Sequence, residues 1–310
     1  MTERDPGPAR APRIVWHGQL VRRGGLLLRG AGLMAPGLLW LLVLLVIPSL
    51  VLAAVAFATR DAWGQVEWSF QLGNFRRLAG WGVLGWSPDT LRILWRSLWL
   101  AGLTTALALG LAYPLAFVLA QARGAWRAVW LSAVIVPMCT NLVVRTYAWE
   151  LLLSRQLPPA RLSAWLGLIE PDRALYPGLL AVILATVQNA LPFAVLPLWT
   201  NVERLDWSLV EAARDLYAGR LTTLRRAILP QTLPGLVVAG ILTFVPTAGM
   251  FVITDRLGGG KHDVLGNLIQ RQFNVSRDYP YGSALSLVLI LLTLAGLVLV
   301  RRKGKGVELV

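Results

Sequence analysis

Six apolar segments of about 20 residues each constrain this chain more than any other feature of its sequence. They occupy residues 34–58, 98–119, 129–149, 176–199, 233–253 and 283–300. A helix of roughly 20 apolar residues spans the hydrocarbon core of a bilayer. Because lipid offers the backbone no hydrogen-bond partner, a segment of this length must be helical inside the membrane. The sequence therefore predicts an all-α polytopic membrane protein with six transmembrane helices.

The distribution of charge supports this class. Only 15% of the residues are charged, against about 25% in soluble domains. The formal net charge is +14, but the Lys and Arg residues lie between the apolar segments instead of clustering on one polar domain. Membrane proteins distribute basic residues in this way, and nucleic-acid-binding domains do not. We therefore expect a lipid bilayer, and no nucleic acid, as a partner.

Basic residues also predict the orientation. With the N-terminus inside, seventeen Lys and Arg residues fall on the inner side and twelve on the outer side. This bias places both termini in the cytoplasm. The predicted organisation is a mobile, basic cytoplasmic arm (1–32), a transmembrane domain (33–303) and a short cytoplasmic tail (304–310). Tryptophans near the ends of the apolar segments, among them Trp95 and Trp99, fit an aromatic belt at the headgroups.

Metal and nucleotide sites are not predicted. Cys139 is the only cysteine, and His17 and His262 are the only histidines, so the sequence predicts no disulfide, metal site or cofactor. Residues 258–261 read Gly-Gly-Gly-Lys but lack the first Gly and the final Ser or Thr of a phosphate-binding loop. We expect these glycines to let an outer loop fold tightly.

A charged, helix-forming stretch separates the fourth and fifth apolar segments, within a loop at about 201–230. Ser208 and Glu211 have the spacing of a capping box, which predicts a short helix over 209–218. One face of this helix is apolar, at Leu209, Ala212, Ala213 and Leu216, and the other carries Glu211, Arg214 and Asp215.

The same pattern predicts how this short helix ends. Gly219 suits the left-handed residue just past a helix. A second helical piece is expected over 221–228, and Pro230 and Pro234 fit the first turn of the next helix. A helix this short is marginal alone, so its apolar face must pack on its own domain, lie at the headgroups, or dock a cytoplasmic partner.

The motif in this stretch resembles the EAA loop of the binding-protein-dependent ABC-transporter permeases. The matching residues are Glu211-Ala212-Ala213, Asp215-Leu216, Ala218, Ile228-Leu229-Pro230 and Pro234-Gly235. In that family the loop is a coupling helix seated in a groove of the ATPase subunit. Residues 145–149, 255–261, 266–269 and 277–282 resemble the spermidine/putrescine branch, and the resemblance covers about 34–300. Many relatives have Gly where this chain has Tyr217, so the geometry of its coupling loop is expected to differ.

The resemblance implies an ABC importer permease that is not itself an enzyme. Its expected partners are an ATPase dimer docked at Ser208 to Ile228, a second, non-identical permease and a periplasmic substrate-binding protein. The implied substrate is a polyamine, with another small organic or metal-ion substrate as the alternative. A secondary transporter would need no ATPase, but its usual inverted repeats and broken helices are not evident in the sequence. A membrane anchor would leave mid-membrane polar residues unexplained.

Five polar residues in or beside the spans are candidates for the translocation path or its outer gate: Asn141, Arg145, Gln188, Asn189 and Asp255. Polar groups at membrane depth face protein or a water-filled path. Interhelical hydrogen bonding for the amides, snorkelling for Arg145 and simple solvation for Asp255 remain the alternatives.

Overall fold

The computed structural model describes residues 17–61, 63–82, 85–167, 170 and 173–303, with side chains from Met34 to Val298 within those ranges. Residues 1–16 of the predicted arm and the predicted tail, 304–310, lie outside the described residues. The chain divides into two units, 1–51 and 52–310. Helix α1 (His17–Ala56) begins within the range assigned to the arm, and the first unit contains it as far as Val51.

In the described residues of the second unit, the regular structure is helical apart from two short pairs of strands in the connection between the first two spans. Strand β1 (Thr59–Arg60) pairs with β2 (Val66–Glu67), and β3 (Trp81–Gly82) pairs with β4 (Gly85–Trp86), both antiparallel. The helices that follow α1 in the described residues are α2 (Gly73–Leu78), α3 (Asp89–Gln121), α4 (Ala125–Cys139), α5 (Leu142–Leu152), α6 (Pro158–Trp165), α7 (Leu179–Glu203), α8 (Trp207–Asp215), α9 (Arg220–Thr223), α10 (Leu229–Gly249), α11 (Val252–Leu257), α12 (Leu265–Asn274) and α13 (Tyr279–Lys303).

Six membrane crossings are confirmed once a bent pair is counted as one. In the described residues, five helical segments are long and apolar enough to cross alone: Met34–Ala56, Asp89–Gln121, Leu179–Glu203, Arg220–Gly249 and Tyr279–Val298. The sixth crossing is the pair α4 and α5, which meet at an angle of 102°. The all-α, polytopic class predicted from the sequence is therefore correct.

Helices α3, α7 and α10 form the centre of the second unit and meet along small side chains. Ala108, Ala112 and Ala116 recur every four residues on α3 and are fully buried, as is Ala194 on α7. Lipid is as apolar as a leucine side chain, so transmembrane helices associate through close packing and interhelical hydrogen bonds instead of hydrophobic burial. The alanine row lets the backbones approach closely.

Hydroxyl pairs add hydrogen bonds between the same three helices. The Oγ1 atoms of Thr104 on α3 and Thr186 on α7 lie 3.2 Å apart, and the hydroxyl of Tyr113 on α3 lies 2.9 Å from Oγ1 of Thr232 on α10. Each hydroxyl finds a partner inside the bundle, so none of these four side chains exposes an unsatisfied group to lipid.

The third span is not the continuous helix that the sequence predicted over 129–149. Pro137 stands near the end of α4, where its ring and missing N–H disfavour continuation. Thr140 then donates from Oγ1 to the carbonyl of Pro137 at 2.7 Å. Asn141 is extended, and its Oδ1 accepts from the amide of Val143 at 2.7 Å, which caps α5. These two side chains satisfy backbone groups that the break would otherwise leave open.

The fifth span also differs from the predicted 233–253. It begins at Arg220 and ends at Gly249, after which Met250 is extended and α11 starts at Val252. Asn267 of α12 is 1% exposed. Its Nδ2 donates to the carbonyl of Phe251 at 3.2 Å, and its Oδ1 accepts from Oγ1 of Thr254 at 2.6 Å. One buried amide therefore fixes the chain where α10 stops.

The contact between α7 and α10 generates a prediction. Gly235 of α10 is buried against Asn201, and a Cβ at position 235 would lie 2.6 Å from Cβ of Asn201. We expect Gly235→Ala to lower the free energy of unfolding by about 1–3 kcal/mol, the usual cost of overpacking. Gly240→Ala on the same helix is the matched control, since its added Cβ comes no closer than 3.8 Å to Leu109.

Thermal unfolding of the full chain in detergent measures both variants. Gly235→Ala should lower the Tm clearly more than Gly240→Ala does. Equal Tm values for the two variants would show that α7 and α10 do not approach as closely as described.

Candidate functional site

The short helix α8 between α7 and α10 is capped by a residue that the sequence analysis did not select. Asp206 is the N-cap, and its Oδ1 accepts from the amide of Ser208 at 3.0 Å and from Oγ of Ser208 at 2.7 Å. The predicted capping box of Ser208 and Glu211 is therefore wrong. Aspartate is as good an N-cap as serine, and starting two residues earlier brings Trp207 into the helix.

The end of α8 also corrects the sequence prediction. The amide of Ala218 donates to the carbonyl of Ala213 at 3.0 Å, and that of Tyr217 donates to Arg214 at 2.9 Å. This pair of bonds is a Schellman motif, whose penultimate residue is left-handed and usually glycine. Here that residue is Tyr217, with φ of 56°. Gly219 instead has φ of −63° and ψ of 159° and precedes α9, so the left-handed role predicted for it is wrong.

Side chains tie α8 to the rest of the domain. Val210 is 2% exposed, and Leu205 is buried just after α7. The amide of Asp206 donates to Oε1 of Gln231 at 3.0 Å, while Nε2 of Gln231 donates to the carbonyl of Ala227 at 2.8 Å. One glutamine near the start of α10 thus holds the N-cap residue of α8, so α8 is coupled to α10.

The expected second helical piece, 221–228, is present but continues into the next helix. Arg220–Thr223 is α-helical, Leu224–Ile228 is a π turn, and α10 follows without a break. Pro230 has no N–H to donate to a carbonyl of the preceding turn, and a wider turn at this point accommodates the lost bond. The predicted place of Pro230 in the first turn of α10 is confirmed, whereas Pro234 lies inside that helix.

The predicted apolar face of α8 lies open in this chain. Leu209 is 50% exposed, Leu216 is 82% exposed and Tyr217 is 97% exposed. Ala212 is exposed and Ala213 is half-buried, while Glu211, Arg214 and Asp215 are exposed on the rest of the helix. Apart from Val210, the helix thus presents leucine and tyrosine side chains that a second protein surface could cover.

The polar residues predicted for the path lie around the bent pair and its neighbours. Asn141 is exposed at the break itself. On α5, Trp149 donates from Nε1 to Oε1 of Gln188 at 3.4 Å, which links α5 to the middle of α7. Asn189 is half-buried beside Gln188.

Two charged side chains of α5 are half-buried with open hydrogen-bonding capacity. Within the described part of the chain, Nε of Arg145 and Oε2 of Glu150 are buried without a hydrogen-bond partner. Glu150 was not among the predicted path residues, because a continuous helix would have carried it to the outer surface. The bend at Asn141 changes the course of α5, and no feature of the sequence alone indicated that Glu150 would be half-buried.

Asp255 does not end the fifth span, as the sequence predicted, but lies exposed on the separate helix α11. The guanidinium of its neighbour Arg256 lies 4.9 Å from the centroid of the Tyr147 ring on α5, a cation–π contact. Helix α11 therefore packs on α5 through this pair, and it brings Asp255 to the same end of the bundle as Arg145.

The left-handed Tyr217 generates a prediction. This conformation costs a non-glycine residue about 1–2 kcal/mol. Glycine avoids that cost, but it loses more conformational entropy on folding, which offsets part of the gain. We expect Tyr217→Gly to stabilise the end of α8 by about 1 kcal/mol, while Tyr217→Val destabilises it. Gly219→Ala is the control, because its backbone angles suit alanine and its Cβ would meet nothing within 4 Å.

Amide hydrogen exchange over 207–223 measures these variants. Exchange should slow in Tyr217→Gly, quicken in Tyr217→Val and not quicken in Gly219→Ala, because alanine at compatible backbone angles does not destabilise the fold. Faster exchange in Gly219→Ala, without slower exchange in Tyr217→Gly, would instead show that Gly219 is the left-handed residue.

Comparison with known proteins agrees with these features. The model of the family described as "Binding-protein-dependent transport system inner membrane component" matches residues 112–303. The spermidine/putrescine transport system permease protein PotB of Escherichia coli (strain K12) is 37% identical over 251 residues, covering 81% of this chain and 88% of that protein. PotB of Haemophilus influenzae is 34% identical and covers 82% and 86%.

Solved structures show the same fold. A bacterial ABC transporter involved in the import of the acidic polysaccharide alginate superimposes with a TM-score of 0.70 over 94% of this chain and 98% of that one, at 17% identity. Residues 112–303, which the family model matches, include α4 to α13, and with them the broken third span and α8. The chain belongs to the family of binding-protein-dependent transport system inner membrane components, the permease subunits of ABC importers.

Proposed function

We propose that this chain forms part of the translocation path of an ATP-driven importer of polyamines, and that α8 is the element docked by an ATPase subunit. The open apolar face of α8, at Leu209, Leu216 and Tyr217, carries the proposal. An amphipathic helix that leaves leucines open toward water needs a partner groove. In this proposal α8 and both chain termini lie in the cytoplasm, as the Lys and Arg distribution indicates.

The attachments of α8 suggest how docking drives transport. Val210 and Leu205 hold α8 against the domain, and Gln231 joins its first turn to α10. A displacement of α8 by the ATPase would be transmitted to α7 and α10, two of the three helices that meet at the alanine row. ATP hydrolysis is assigned to that separate subunit.

The break in the third span supports a path shared with a second permease. Non-helical backbone at membrane depth occurs only where protein covers it or where it lines a cavity. Thr140 and Asn141 are exposed in this chain alone. A second, non-identical permease would cover this side, with Asn141, Arg145, Gln188 and Asn189 toward the path and Asp255 at its outer mouth, where a periplasmic binding protein delivers the substrate.

The polyamine assignment is supported by the two PotB relatives and by the exposed carboxylate of Asp255. Another small organic solute or a metal ion is the alternative within the same family. A secondary transporter is the less favoured alternative. Such transporters usually have inverted repeats and broken helices, and the bend between α4 and α5 is a broken helix that the sequence did not reveal.

Docking can be tested through Leu216. A leucine that becomes buried in a partner contributes about 1.5–3 kcal/mol, so Leu216→Asp should lower the amount of ATPase that copurifies with the full chain by tenfold or more. Leu162→Asp on α6 is the control, since Leu162 is also exposed, at 56%, but lies on a different connection.

The measurement is ATP hydrolysis in affinity-purified material from native membranes. Hydrolysis should fall with Leu216→Asp and persist with Leu162→Asp. Equal hydrolysis in both variants would remove α8 as the docking element.

The substrate can be tested by uptake. Cells that lack their other polyamine importers and express the complete transporter should accumulate labelled putrescine or spermidine, and deletion of this chain should abolish that uptake. Uptake of an unrelated solute that requires this chain, without polyamine uptake, would replace the substrate and leave the importer assignment in place.

A further inference from the structure

A cavity of about 400 Å³ opens at the end of the bundle opposite α8. Its walls are Arg92, Trp95, Arg96, Trp99, Leu179 and His262. The first four residues follow the spacing i, i+3, i+4 and i+7, so they share one face of α3. Leu179 is the first residue of α7, and His262 belongs to the loop between α11 and α12. Three separate segments thus enclose one space.

Hydrogen bonds and close contacts fix these segments around the cavity. Nη1 of Arg96 donates to the carbonyl of Lys261 at 2.7 Å. Oγ of Ser97, which is 2% exposed, accepts from the amide of Leu265 at 2.6 Å. Gly259, with φ of 59°, packs so closely on Pro177 that a Cβ would lie 2.6 Å from the proline ring. The glycine-rich loop is therefore folded tightly, as its sequence predicted, and the cavity wall is fixed.

The charge around the cavity is positive. Arg92 and Arg96 line it, and Lys261 lies next to His262. Asp89 is 3.6 Å from Arg92, but both side chains are at least 70% exposed, and such a pair contributes little. Asp263 is engaged by Arg271. Two guanidinium groups therefore face the space with most of their donor capacity unused, and guanidinium is the side chain best suited to phosphate oxygens.

The position along α3 matches the headgroup layer of a membrane. The apolar segment begins at Leu98, and Arg92 lies six residues earlier, about 9 Å along a helix axis. Trp95 is 70% exposed and Trp99 is 45% exposed, on the same face and at the depth where indole rings prefer to lie. The guanidinium groups thus stand at phosphate level, with indole and leucine side chains below them.

We propose that this cavity binds the headgroup of an anionic membrane phospholipid, with Arg92 and Arg96 on its phosphate and the acyl chains descending past Trp99 and Leu179. The site is independent of the transported substrate and of the orientation of the chain. It would anchor the start of α3 and the loop at 258–264 to the lipid, and so hold this end of the membrane domain at the headgroup layer.

Native mass spectrometry of the full chain in detergent tests the site with phosphatidylglycerol as the probe and phosphatidylcholine as the neutral-headgroup comparison. The wild-type chain should retain phosphatidylglycerol at least tenfold more than phosphatidylcholine. Arg92→Gln with Arg96→Gln should reduce that retention about tenfold, whereas Arg76→Gln on α2, an exposed arginine outside the cavity, should leave it unchanged. Arg92→Lys with Arg96→Lys, which keeps the charge, should restore part of it.

Competition by soluble phosphate compounds distinguishes a lipid site from a site for free phosphate. Millimolar inorganic phosphate and glycerol phosphate should not displace the bound lipid from the wild-type chain. Displacement by either would assign the cavity to a free phosphate compound. Equal retention of the two lipids by the wild-type chain would overturn the proposal, and this outcome does not depend on whether any variant folds. Unchanged retention in the double glutamine variant would overturn it as well.

Discussion

The absence of water inside the bilayer is the constraint on which the rest of this structure depends. Every backbone amide and carbonyl at membrane depth needs a partner within the protein, and two spans nevertheless break or stop. In each case side chains compensate: Thr140 and Asn141 between α4 and α5, and Asn267 where α10 ends. The irregular backbone lies where these side chains can hydrogen-bond to it.

The same constraint explains how the core and the coupling element are connected. Since lipid removes the usual hydrophobic gain of helix association, α3, α7 and α10 meet through alanines, Gly235 and paired hydroxyls. Such contacts are short and tolerate little change in spacing. Gln231 extends this close-packed core to α8 by one hydrogen bond. In the function proposed above, this close-packed core, linked to a short helix with an open apolar face, would transmit motion from the ATPase subunit.

At the end of the bundle opposite α8, arginine and tryptophan side chains line a cavity at the start of α3. Arg92, Arg96, Trp95 and Trp99 share the face of α3 that lines the proposed lipid site, and the glycine-rich loop closes the space beside them. The exposed break at Asn141 and the half-buried Arg145 and Glu150 belong to a different surface, where backbone and charge are open toward the side proposed for a second permease. The two surfaces differ in chemistry as the two proposals require, since one is proposed to bind lipid phosphate and the other to face a polar path.

The sequence by itself determined the class, the number of crossings and the location of the short helix proposed as the docking element. Apolar length and the spacing around Glu211-Ala212-Ala213 are local properties, and they persist whatever the helices pack against. It did not determine the break in the third span, the cap at Asp206, the left-handed Tyr217 or the position of Glu150. Asp206 and Ser208 are both good caps, and Tyr217 takes a conformation that its own preference disfavours. Only the tertiary contacts of Val210, Gln231 and Trp149, made across distant parts of the chain, decided among conformations that the local sequence leaves close in energy.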